Sequence, residues 1–125
     1  MERKHFMMVS ATVAFIVACV ALFAPGPAVY LVGLRIDIAG ALFARGMGGA
    51  ILGMAVGLWM ARNDRPSASL RAILVIWGIF HAVGLLITGM AMSAGILNVA
   101  IASVAFGLRS LFVIGSVYYL LKMKG

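Results

Sequence analysis

Four apolar stretches, each near twenty residues long, dominate the chain: 6–24, 38–61, 72–92 and 99–121. A helix rising about 1.5 Å per residue needs about twenty such residues to cross about 30 Å of hydrocarbon, so each stretch has the length of a membrane span. The composition agrees: 65% of the residues are hydrophobic and 10% charged, against about 25% charged in a soluble domain. An ordinary water-soluble fold is excluded. The expected architecture is all-α, a single domain (1–125) made of a bundle of four transmembrane helices. Little chain remains for an extramembrane catalytic or binding domain.

The connections carry the polar residues. Pro25-Gly26-Pro27 ends the first span, because its two prolines remove backbone donors. The apolar segment 28–34 is too short to cross and is expected to lie at an interface. The second connection, Arg62 to Ser69, is polar and rich in turn formers, and the third, around Ser93-Ala94-Gly95, is tight and uncharged. Arg3, Lys4, Arg62, Arg65, Arg71, Lys122 and Lys124 fall on one side of the spans, whereas the other side has Arg35 with Asp37. Positive charge concentrates on cytoplasmic loops, so both termini are expected in the cytoplasm and the chain in the cell (inner) membrane. The net charge of +7 is then a topological signal, and no nucleic-acid partner is implied. The N-terminus also resembles a signal peptide, but its apolar run is long for a signal core and prolines crowd the cleavage site, so a retained span is expected. Cys19 stands alone and forms no internal disulfide.

Helices in lipid associate through small residues that let backbones approach. Gly46, Gly49, Gly53 and Gly57 recur every three or four residues in the second span and share a face. They are the expected helix-packing residues, in preference within the chain and alternatively against another subunit. Gly78, Ala82, Gly84 and Thr88 form a weaker stripe on the third span. Short second and third connections make spans two, three and four expected antiparallel neighbours.

Three ionisable side chains fall within the spans: Arg45, His81 and Arg109. A central arginine costs roughly 2.5–3.5 kcal/mol on insertion scales, so such residues tend to face the bundle interior or a watery cavity. Arg45 lies one turn from Gly49, and His81 shares a face with Gly78, Gly84 and Thr88, so both are expected to point inward; Arg109 has no assigned direction. Together they form a candidate ligand site for an anionic head group, a fatty acid or a quinone. The alternative is structural, with the arginines bonded to helix carbonyls, snorkelling, or paired with Asp37.

Other chemistries lack the residues they need. Bis-histidine haem requires a second membrane histidine, and His5 sits at the tail, so haem would need a partner's ligand. Proton-coupled antiport needs an intramembrane carboxylate, while Glu2, Asp37 and Asp64 lie at or beyond the span ends. The nine methionines form no repeated thioether array, which favours packing over copper. No catalytic triad is evident, and no metal site is expected.

The stretch Ala44-Arg45-Gly46-Met47-Gly48-Gly49-Ala50-Ile51-Leu52-Gly53-Met54-Ala55-Val56-Gly57-Leu58-Trp59 resembles the DoxX-like assemblage of small four-span bacterial membrane proteins. The arginine before a glycine-rich helix, the basic loop Arg62 to Arg71, the mid-span His81 and the terminal Tyr118 to Lys124 fit that outline. The resemblance implies a four-helix fold and, by analogy with relatives, a membrane subunit of a redox enzyme such as a thiosulfate or quinone oxidoreductase.

The first expectation is a non-enzymatic accessory or structural subunit of a larger inner-membrane complex, or a small oligomer, with membrane lipids and a membrane protein or a second copy as partners. The alternative is a lipid- or quinone-binding protein, or a redox-enzyme membrane subunit, built on Arg45, His81 and Arg109. Transport of a small anion is a third class.

Overall fold

A computed structural model describes residues 2–123 of the chain; Lys124, counted above among the basic residues, lies outside them. The described residues form five helices and no strand: α1 (Arg3–Phe23), α2 (Pro25–Leu31), α3 (Ile38–Ala61), α4 (Ala68–Ser93) and α5 (Val99–Lys122). The four long ones have the length and composition to cross a membrane. All four also present large apolar side chains outward, among them Phe15, Phe43, Leu86 and Ile114. That surface is insoluble in water and suited to lipid. The protein is therefore a small helical membrane protein.

The helix boundaries have local causes. Pro25 opens α2 at a position where its missing N–H costs nothing. Asp37 caps α3 by accepting from the Gly40 N–H at 2.7 Å, Ser67 caps α4 through the Leu70 N–H, and Asn98 caps α5 through the Ala100 N–H. Each side chain satisfies a donor that the first helical turn leaves free. The α2–α3 connection turns at Gly33 (φ +89°) and the α4–α5 connection at Gly95 (φ +69°), conformations that only glycine adopts without strain. These two connections meet where the Asn98 N–H donates to the Val32 carbonyl at 2.9 Å.

The long helices associate as two pairs. α1 runs along α3 and α4 along α5, whereas α3 touches α4, and α1 touches α5, over small areas. This corrects the expected neighbour order: the second span packs chiefly on the first, across the longer connection, and only slightly on the third. Surface shape explains it. Ala11, Ala14 and Ala18 of α1 lie against Ile51, Ala55 and Leu58 of α3, and small side chains bring the two axes close.

The glycine face does not take the preferred place expected for it, against another helix of the chain. No atom lies within 4 Å of where a Cβ would sit at Gly46, Gly49, Gly53 or Gly57, so among the described residues these four pack against nothing. The close approach falls instead at Gly48, where a Cβ would lie 3.0 Å from Ala21 Cβ and Leu22 Cγ and 3.2 Å from the Ala18 carbonyl oxygen. Gly48 lies three, seven and ten residues before Ile51, Ala55 and Leu58, on the face that turns toward α1. On α4 the weaker stripe does pack: Gly78 receives Ser116, where a Cβ would be 3.2 Å from the serine Cβ, and Gly84 receives Arg109.

One apolar core joins the two pairs. Met7 and Leu58 meet Leu70, Leu74 and Trp77, and Phe6 packs on Phe112 and Tyr119 at ring separations of 6.3 and 5.2 Å. This core is concentrated toward the end carrying the basic residues. That end is also tied by cations: Arg3 donates to the Asp64 carbonyl and Arg71 to the Met123 carbonyl. Cations on the last carbonyls of a helix or turn are electrostatically favoured.

Candidate functional site

Above that core, a cavity of about 150 Å³ lies where the two helix pairs face each other. Val13, Ala14 and Val17 of α1 and Ile51 of α3 form one wall; Trp77, Phe80 and His81 of α4 with Leu108, Arg109 and Phe112 of α5 form the other. His81 falls near the middle of α4 and Arg109 near the middle of α5, so the cavity sits at the middle depth of the spans. Val17 and Leu108 line it and are also 47% and 39% exposed. The cavity therefore opens sideways, between α1 and α5, toward lipid.

His81 is buried, 7% exposed, within an aromatic cage. Its ring lies 4.2 Å from that of Trp77 and 85° from its plane, 4.8 Å from Phe112 and 5.1 Å from Phe80. The cage follows from helical spacing: Leu70, Leu74, Trp77 and His81 occupy one face of α4, and Arg109, Phe112 and Ser116 occupy the facing side of α5. Neither His81 Nδ1 nor Nε2 has a hydrogen-bond partner. Trp77 Nε1 is likewise unpartnered. Three polar atoms of two adjoining residues are thus buried without satisfaction, a departure from the general rule for protein interiors.

Arg109 completes the cavity. Its guanidinium rests against Gly84 and lies 5.9 Å from the Phe80 ring centroid. Among the described residues no carboxylate pairs with it; the single ion pair is His5 with Glu2, at 3.8 Å and far along the chain. Its positive charge is met by an aromatic face and by nothing anionic.

The three residues singled out from the sequence do not form one site. The structure brings His81 and Arg109 into one cavity and leaves Arg45 outside it. Arg45 is exposed on the outward glycine face of α3, and its Nε donates to the Leu22 carbonyl at 3.2 Å. The physical reason lies in the last turn of α1. The Leu22 carbonyl belongs to that turn, beyond which α1 does not continue to supply partners, and a nearby guanidinium takes it. The expected pairing with Asp37 does not occur among the described residues, since that carboxylate caps α3. His81 points inward as expected. Trp77, Phe80 and Phe112 are not among the site residues expected from the sequence, although Trp77 lies four residues before His81, Phe80 directly before it and Phe112 three residues after Arg109.

The arrangement offers two kinds of polar contact in an apolar box. Arg109 donates only; a neutral imidazole donates from one nitrogen and accepts at the other. No group of three or more His, Cys, Asp or Glu among the described residues is placed to hold a metal ion. Comparison of the chain with protein-family models, with curated proteins and with solved structures finds no match. The geometry of the cavity is therefore the main ground for a functional reading.

Proposed function

We propose that the protein binds, at mid-membrane depth, a flat ring compound bearing acceptor oxygens, and that a quinone is the chemistry the cavity suits best. The observation that carries this reading is the juxtaposition of His81, with both nitrogens unpartnered, and Arg109, with no counter-charge, inside a box of aromatic rings. An engineered apolar cavity of about this size accommodates one benzene ring. Trp77, Phe80 and Phe112 supply faces and edges for such a ring, and Arg109 and His81 supply donors for its carbonyl oxygens. The sideways opening between α1 and α5 admits a ligand whose apolar tail stays in lipid. The reduced form also fits, because a hydroxyl on the ring donates to the accepting nitrogen of His81.

Two further elements belong to the proposal. The side bearing Arg3, Lys4, Arg62, Arg65, Arg71 and Lys122 is placed in the cytoplasm, with both termini there and the bundle in the inner membrane, in accord with the distribution of positive charge. The resemblance to DoxX-like proteins supports a role as a membrane subunit of a quinone-linked redox enzyme. A second reading, an accessory or structural subunit or a small oligomer, is favoured by one observation: Gly46, Gly49 and Gly53 present bare backbone outward. The two readings are compatible on one molecule.

The test uses tryptophan fluorescence. The chain has two tryptophans, so Trp59→Phe leaves Trp77, in the cavity wall, as the reporter. Titration of the purified protein with a short-tailed quinone is expected to quench it saturably, and both His81→Phe and Arg109→Leu are expected to abolish the saturable phase. Linear quenching alike in all three proteins, or co-purification of a fatty acid in place of quinone, overturns the quinone assignment.

A further inference from the structure

A second, larger hollow lies on the outer side of the α1–α3 pair, away from the His81 cavity. It has a volume of about 340 Å³ and is lined by Ala11, Thr12, Phe15, Ala55, Val56 and Trp59. Phe15, Val56 and Trp59 are each about half exposed, at 52%, 50% and 45%, so the hollow is a groove open to lipid. Thr12 spends its hydroxyl on the Met8 carbonyl. The groove is thus apolar throughout.

Both walls lead toward the basic end and finish in a cation. Along α1 the stripe that carries Phe15 and Thr12 continues at helical spacing through Met8 to Lys4, which is exposed. Along α3 the stripe of Ala55 and Trp59 continues to Arg62, whose guanidinium lies 4.2 Å from the Trp59 ring centroid and donates to the Trp59 carbonyl. The nearest acids on these segments do not occupy that mouth as ion-pair partners of either cation: Glu2 sits 3.8 Å from His5. From Phe15 to Lys4 the helix rises about 16 Å, at about 1.5 Å per residue, which matches the upper part of an acyl chain below its head group.

We propose that this groove is a binding site for one anionic phospholipid, with an acyl chain lying against Phe15, Val56 and Trp59 and the phosphate held between Lys4 and Arg62. An apolar groove whose two walls each run on to a cation complements a molecule that is apolar along its length and anionic at one end. A zwitterionic phospholipid carries a cationic group beside its phosphate and gains less. The site is separate from the His81 cavity and does not depend on what that cavity holds.

Native mass spectrometry of the full-length protein, released from detergent in the presence of equal phosphatidylglycerol and phosphatidylcholine, tests the assignment. One tightly held phosphatidylglycerol is expected, at least fivefold more abundant than the phosphatidylcholine adduct. Lys4→Gln with Arg62→Gln is expected to remove that preference, and Val56→Phe, which fills the groove from its lipid-facing wall, to reduce both adducts. Arg65→Gln, which removes an exposed charge at the same end that is not part of the groove's lining, is expected to leave the preference intact. Equal adducts of the two lipids, or a loss in Arg65→Gln as large as in the double variant, overturns the site and leaves only general surface charge.

Discussion

The guanidinium of Arg109 rests on the bare backbone of Gly84, in the space that the Cβ of any other residue would take. An arginine in the middle of a span is held on one side by the absence of a side chain on the facing helix, and it meets the Phe80 ring on another. Its position is set by packing alone, since no anion fixes it among the described residues.

Gly84→Ala is therefore expected to displace the guanidinium while leaving the helices in place, because the end of a long side chain moves more easily than backbone. Quinone affinity measured through Trp77 fluorescence should fall about tenfold, equivalent to about 1.4 kcal/mol, with thermal stability changed little. A fall in stability with affinity preserved would assign Gly84 to helix packing and not to placement of Arg109.

Arg109→Leu separates function from stability. Removing an uncompensated mid-membrane cation relieves a cost of roughly 2.5–3.5 kcal/mol on insertion scales, so the variant should be at least as resistant to heat or denaturant in detergent as the parent while failing to bind the ring ligand. Strong destabilisation would show that the guanidinium is a structural anchor.

The two kinds of glycine on α3 predict opposite outcomes. Gly48→Leu forces a side chain into the α1–α3 contact and should cost about 1–3 kcal/mol, the usual range for overpacking. Gly53→Leu projects outward and should change monomer stability by less than about 0.5 kcal/mol. Thermal unfolding checks both, and size-exclusion chromatography coupled to light scattering of Gly53→Leu tests whether the outward glycines mediate oligomer contacts. An unchanged oligomeric state would count against that face as an interface.

Topology can be read directly. Single cysteines placed at Ser69, in the exposed basic region at the start of α4, and at Arg35, on the opposite side, in a Cys19→Ala background, should label with an impermeant maleimide only from the cytoplasmic and only from the external face respectively. The reverse pattern would invert the assigned orientation.

The spans were readable because length and apolar content are properties of the chain itself: 38–61 agrees with α3, and the other three long helices agree to within a few residues at each end. Which face of a span turns inward was not readable to the same degree. In hydrocarbon the outward and inward faces are both apolar, so no amphipathic stripe marks the interior. The helical period correctly put Arg45 on the same side as Gly49, yet that side faces out. His81 was readable because it shares a face with Gly78 and Gly84, small residues that do pack against α5. The α1–α3 pairing was hidden because alanines, common in any span, form the contact, and because Gly48 differs from its neighbouring glycines only in phase.

The thin contact between the two helix pairs gives the molecule a seam, and the His81 cavity lies in that seam. Neither pair contains the site; it exists because the pairs meet incompletely above the Trp77 core. A larger side chain at Ala14 or Ile51 would fill the gap and erase the space. A tighter bundle and an open cavity are therefore opposed at these positions, and the looseness of the seam is the condition under which this small chain has an interior to offer.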